Sequence, residues 1–212
     1  MRYDFGSDNT AGMAPAALEA LAKANGGFAR AYGADEITAR AADQIRQRLD
    51  ADAEVRFVFS GTAANAIAVS MLARPYEAVL THHAAHICTD ETGAPGFFGQ
   101  GVGLIGLPGY SGKIDGLTLR AALEEPVVGH RQPAAALSVT QATEYGAVYS
   151  EEELRHLIEP AKLAGLGVHM DGARLANAVA AGFDLKDIPR QGRRELRRGF
   201  GHLRQKPDAA DR

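Results

Sequence analysis

Short apolar runs alternate with helical text along most of this chain, and that alternation limits the fold more than any single motif does. The runs fall at residues 55–59, 78–80, 102–105, 135–139 and 166–170. Each has a strand's length and is bounded by turn-forming residues. Between and before them, the spacing of apolar positions predicts helices from Pro15 to about Lys23 and over residues 37–49, 63–72, 117–123 and 151–164. Strands separated by helices predict an α/β fold with a mostly parallel sheet flanked by helices. In such a fold ligands sit beyond the carboxyl ends of the strands, so residues just after each apolar run are the candidates for chemistry.

Composition narrows the class. The 212 residues suffice for one domain with a sizeable core, or for a large domain without its smaller companion. A hydrophobic share of 46% with 23% charged residues is that of an ordinary globular protein. A formal net charge of −3 points to neither nucleic acid nor an anionic membrane surface. No apolar run approaches the roughly 20 residues of a membrane span, and Met1-Arg2-Tyr3-Asp4-Phe5 lacks a secretory pattern, so a cytoplasmic location is expected. The single cysteine, Cys88, excludes an internal disulfide framework and leaves too few thiols for a structural zinc site.

Three constellations stand where chemistry is expected. Ser60-Gly61-Thr62-Ala63-Ala64-Asn65 joins an apolar run to a helix, so it is either a plain glycine turn or a phosphate cradle of backbone N–H groups and a hydroxyl. Met170-Asp171-Gly172-Ala173-Arg174 closes another run. Its aspartate is either a helix cap or a carboxylate aimed into the crevice, with Arg174 presenting a forked donor to an anion. The third, His82 to Pro95, holds three histidines and two carboxylates whose spacing fits no helical or finger-type metal set, so a solvated loop with one functional histidine is expected and no metal. Downstream, residues 193–206 are arginine-rich and lack apolar alternation, which fits a solvated, disordered tail or a nucleic-acid-binding arm.

Taken in order from about Gly6 to about Gly192, these motifs resemble the low-specificity L-threonine aldolases, pyridoxal-phosphate lyases of the aspartate aminotransferase-type fold. The resemblance implies that Ser7-Asp8 is a substrate-side loop and that Tyr32, in Ala31-Tyr32-Gly33, lies near a neighbouring subunit's site. It implies that Gly61, Thr62 and Ala63 hold the cofactor's phosphate and that His86 stacks on the pyridine ring. Gln141-Ala142-Thr143-Glu144-Tyr145-Gly146 is similar to a further active-site loop. Asp171 would meet the pyridine nitrogen, and Arg174, with Ser7, the substrate carboxylate.

The implied protein is a homo-oligomeric lyase that cleaves a small β-hydroxy amino acid, threonine or allo-threonine, to glycine and an aldehyde. A β-eliminating lyase, a phenylserine-type aldolase and a non-catalytic pyridoxal-phosphate-binding or dimerisation module are the alternatives. The chain departs from the pattern in two places. Glu144 stands where many members carry a histidine, which leaves His86 and Glu144 as the candidates for proton transfer. The family's Schiff-base lysine has no counterpart, because Lys186 comes too early and Lys206 lies in the arginine-rich stretch. The resulting expectation is an incomplete large domain over residues 1–192, a non-native or disordered tail over 193–212 arising from a shifted reading frame or a truncated gene, a missing small domain, and an inactive chain.

Overall fold

The structure is a computed structural model that describes residues 10–126 and 128–188. Ser7 and the arginine-rich stretch, Lys206 included, lie outside the described residues. The chain divides into two compact units, Met1–Gln47 and Arg48–Arg212. In the first, α1 (Pro15–Ala24) opens with its proline in the first turn, where the missing N–H costs nothing. Helix α2 begins at Glu36 and ends at Leu49. Asp35 starts it by accepting hydrogen bonds from the backbone N–H and the hydroxyl of Thr38 at 2.8 and 2.7 Å.

The second unit is built on four parallel strands. These are β1 (Ala78–His82), β2 (Gly103–Leu107), β5 (Ala134–Thr140) and β6 (Gly167–Asp171), in the spatial order β2-β1-β5-β6. Around them run α3 (Gly61–Leu72), α6 (Gly116–Glu124), α7 (Glu151–Leu163) and α8 (Leu175–Ala180). Alternate side chains of a strand leave opposite faces, and the core divides accordingly. Val79 and Ala136 pack with Val69, Ala73 and Val102 on the side of α3, whereas Leu80, Leu137 and Val139 pack with Leu154, Leu157, Ile158 and Ala161 of α7. All five residues of β1 are buried, as a strand covered on both faces requires. Helix α7 starts on a reciprocal capping box, with Ser150 Oγ accepting from the Glu153 N–H and the Glu153 carboxylate accepting from the Ser150 N–H.

The sequence expectation fails at residues 55–59. Their composition favours a strand, yet among the described residues they have no ladder partner, and Phe59 is 96% exposed. A β-prone run becomes a strand only where another strand offers its hydrogen-bonding edge. Shorter elements also escape pattern reading. Between β1 and β2 the expected loop folds into α4 (His86–Thr89) and α5 (Ala94–Phe98), each too short to display a helical period. After β2 a hairpin of β3 (Gly109–Tyr110) and β4 (Lys113–Ile114) closes through Ser111 and Gly112, both at positive φ, as a two-residue turn of this kind demands. No helix of the described residues is long and apolar enough to cross a membrane.

The strand order places the site. From β1 the chain moves outward to β2, then returns to the other side of β1 for β5 and β6. The loops leaving β1 and β5 therefore diverge, and the gap between them at the carboxyl ends is the crevice where an open α/β sheet receives a ligand.

Candidate functional site

Helix α3 delivers the first group. Ser60 is its N-cap in extended conformation, and its Oγ accepts from the Ala63 N–H at 3.1 Å. The first amides of a helix have no intrahelical acceptor, so Gly61 and Thr62 present free N–H groups toward the positive end of the helix dipole. Ala63, the third residue expected to hold an anion, has its amide engaged by Ser60. A Cβ built on Gly61 would meet nothing within 4 Å, so this face of the turn is open.

One turn further along α3, Asn65 is buried and reaches the second group. Its Nδ2 donates to Asp171 Oδ2 at 2.9 Å and to Glu91 Oε1 at 2.6 Å. Asp171 is the last residue of β6 and only 8% exposed, and its other oxygen accepts from the Ala173 N–H at 2.9 Å. It thus caps the turn that follows it and also faces α3. Four residues of helix rise about 6 Å, so the open amides at Gly61 and Thr62 stand roughly that far along the axis from the asparagine that touches Asp171.

The third group comes from β1. His86, the first residue of α4, has its ring Nδ1 3.0 Å from Glu91 Oε1, with 38% of its side chain exposed and none of the Glu91 side chain. The backbone N–H of His86 donates to Glu144 Oε1 at 2.8 Å, which ties the loop after β1 to the loop after β5. The latter is braced by Gln141, whose side-chain amide exchanges two 3.0 Å hydrogen bonds with the backbone of Tyr149. The second oxygens of Glu91 and Glu144 are buried and have no hydrogen-bond partner among the described residues.

Arg174 is half-buried at the N-cap of α8, three residues past Asp171. Tyr32 lies in the first unit, fully exposed and at φ 62°. Lys186, the first lysine after Asp171, is exposed in the turn beyond Phe183, and its backbone N–H donates to Asp184. The structure therefore joins Asp171, His86 and Glu144 through hydrogen bonds and sets Gly61 and Thr62 one helical turn from them.

Sequence reasoning missed Glu91, Asn65 and the pair beneath them. His169, on β6, lies with its Nδ1 2.8 Å from the hydroxyl of Ser138 across the strand. Burial pushes the His169 imidazole below its usual value, against the opposing charges of Asp171 and Glu91. Burial also raises the Cys88 thiol, helped by the charge of Glu144. Asn65 stood within a quoted motif, and its spacing four residues after Gly61 was the available signal.

Comparison with known proteins places the chain in a family. Residues 4–192 match the beta-eliminating lyase family. The chain is 45% identical over 177 residues to the low specificity L-threonine aldolase of Pseudomonas sp. (strain NCIMB 10558), covering 83% of this chain and 51% of that protein. It is 32% identical over 192 residues to the enzyme of that name from Saccharomyces cerevisiae, covering 88% and 47% respectively. Threonine aldolase of Leishmania major superposes with a TM-score of 0.81 at 34% identity, over 86% of this chain and 54% of that one. An aminotransferase from Mycobacterium tuberculosis, at 17% identity and a TM-score of 0.52 over 73% of this chain and 39% of that one, shares the fold alone. The chain spans about half the length of the curated relatives it matches. It belongs to the beta-eliminating lyase family.

Proposed function

We propose that this chain is the cofactor-binding part of a pyridoxal-phosphate-dependent aldolase that cleaves a small β-hydroxy amino acid, threonine or allo-threonine, to glycine and an aldehyde. The observation that carries the reading is the hydrogen-bonded cluster in which Asn65 joins Asp171 to Glu91 and His86 one turn from the open amides of α3. The residues fit the cofactor. Gly61 and Thr62 offer N–H donors for a phosphate, and the buried carboxylate of Asp171 offers an acceptor for a protonated pyridine nitrogen. When bound, pyridoxal phosphate supplies an electron sink for the pair left on Cα as the Cα–Cβ bond breaks.

The chain's own groups hold and orient. Asp171 would hold the pyridine nitrogen, His86 would stack on the ring, and Arg174 with Ser7 would take the substrate carboxylate. Glu144, fixed through Oε1 by the His86 N–H, has Oε2 left to accept the proton of the substrate β-hydroxyl, at the loop position where the family resemblance places a histidine in contact with that hydroxyl. The active assembly is read as a cytoplasmic homo-oligomer, with the exposed Tyr32 reaching a neighbouring copy. Of the lysines after Asp171, Lys186 is exposed and capped into a turn, so this chain by itself is read as binding the cofactor without turning over substrate.

Titration of the 212-residue chain with pyridoxal phosphate and with unphosphorylated pyridoxal tests the reading. Saturable binding of the first, at least about tenfold tighter than of the second, is expected from the amides at α3. Equal binding of the two, or no saturable binding, refutes it.

A further inference from the structure

Glu91 is the most deeply enclosed charge in the site, and none of the roles assigned above uses it. Its side chain is fully buried between α4 and α5, where Thr92 at φ 51° and Gly93 at φ 76° turn the chain sharply just behind it. A β-branched residue in the left-handed region is uncommon and costs conformational energy, so this backbone is held by its surroundings. Oε1 of Glu91 accepts a hydrogen bond from Asn65 Nδ2 at 2.6 Å and lies 3.0 Å from His86 Nδ1. Asn65 uses its other N–H on Asp171 at 2.9 Å. An ionised carboxylate can only accept, and facing one the His86 ring carries a proton on Nδ1.

We propose that Glu91 is a positioning residue which fixes the tautomer and ring plane of His86 and, through Asn65, braces Asp171, so that the two ring contacts of the cofactor site form one hydrogen-bonded unit. The proposal rests on the reading of His86 and Asp171 as cofactor contacts, but its structural half does not need the cofactor. In water a neutral imidazole carries its proton mainly on Nε2. With Glu91 in place the proton is held on Nδ1, and Nε2 at the opposite edge of the ring becomes the acceptor. The carboxylate also sets the rotation of the ring about its Cβ–Cγ bond, since a ring turned over would present a carbon to Oε1. Asn65 carries the effect onward, because its amide plane is fixed at both N–H groups by carboxylates 26 and 106 residues away in sequence.

The test is imidazole nitrogen NMR of the full chain without cofactor, at about pH 8, well above the ordinary histidine value of about 6.5. The parent is expected to show His86 protonated at Nδ1. Glu91→Gln, which keeps an acceptor oxygen, is expected to retain that tautomer, and Glu91→Ala to release the ring to the Nε2 form. A parent ring protonated at Nε2, or a folded Glu91→Ala chain that keeps the parent tautomer, overturns the assignment. If Glu91→Ala does not fold, the parent spectrum decides by itself.

Pyridoxal-phosphate titration gives the second readout. Glu91→Ala is expected to weaken binding by roughly tenfold, the scale of one hydrogen bond to a charged group, while Glu91→Gln binds within about threefold of the parent. Loss of the tautomer with no change in cofactor affinity would overturn the coupling of the two contacts. A parent that binds no cofactor but holds the Nδ1 tautomer refutes the cofactor reading and leaves the positioning of His86 standing.

Discussion

Asp171→Ala separates the structural duty of this aspartate from its proposed part in cofactor binding and yields a number for each. In the chain without cofactor the substitution removes two hydrogen bonds, from Asn65 Nδ2 at 2.9 Å and from the Ala173 N–H at 2.9 Å. Each would cost about 1.5–3 kcal/mol if nothing else changed, as bonds to a charged group do. The loss is offset, because Asn65 keeps its bond to Glu91 and one of two buried carboxylates facing the same amide disappears. A net destabilisation of about 1–2 kcal/mol is therefore expected in urea unfolding, small enough to leave the chain folded. The cofactor suffers more. A pyridinium losing its charge-assisted, buried acceptor would forfeit about 2–3 kcal/mol, which is roughly 30- to 150-fold in dissociation constant. Fluorescence titration of parent and variant with pyridoxal phosphate measures this directly. Equal affinities, with the variant shown to be folded by its urea transition, would refute the role of Asp171 and with it the placement of the pyridine ring at the end of β6.

Two further perturbations probe the scaffold. Tyr149→Phe removes the buried hydroxyl that accepts the Ile114 N–H at 2.7 Å, leaving that amide without a partner; a cost of about 1–3 kcal/mol by urea denaturation is expected, and an unchanged midpoint would show that the hairpin finds another acceptor. Burial holds the His82 and His169 imidazoles below their usual values, so in the acid range the unfolded chain binds more protons than the folded one; stability should be complete above the unfolded value of about 6.5 and decline as pH falls below it. His169→Gln should flatten that decline, and an identical pH dependence of the urea midpoint in parent and variant would exclude His169 as a source.

The parts of the fold that sequence made legible share a physical property: they are decided locally or by burial on both faces. Strands β1, β5 and β6 read as apolar runs because helices cover both sides of the sheet, and the helices around them read from spacing and caps such as Ser60 and Ser150. Residues 55–59 carry the same apolar text but have no neighbouring edge among the described residues, and the text alone does not make a strand. The same distinction runs through the site. His86 and Asp171 were legible because each follows an apolar run that becomes a strand, where topology directs ligands, whereas Gly61 was legible from the helix cap at Ser60, its preceding run forming no strand. Glu91 was not, since its meaning depends on an asparagine 26 residues earlier and on a turn at Thr92 and Gly93 that no periodicity announces. Glu144 was legible only as a departure from a family pattern, and the fold supplies its reason. The loops after β1 and β5 diverge at the switch point, and its carboxylate, bonded to the His86 N–H at 2.8 Å, ties them together. The candidate ligand contacts at His86 and Asp171 are thus announced by their positions after strands, whereas the groups hydrogen-bonded to them are set by contacts between distant loops.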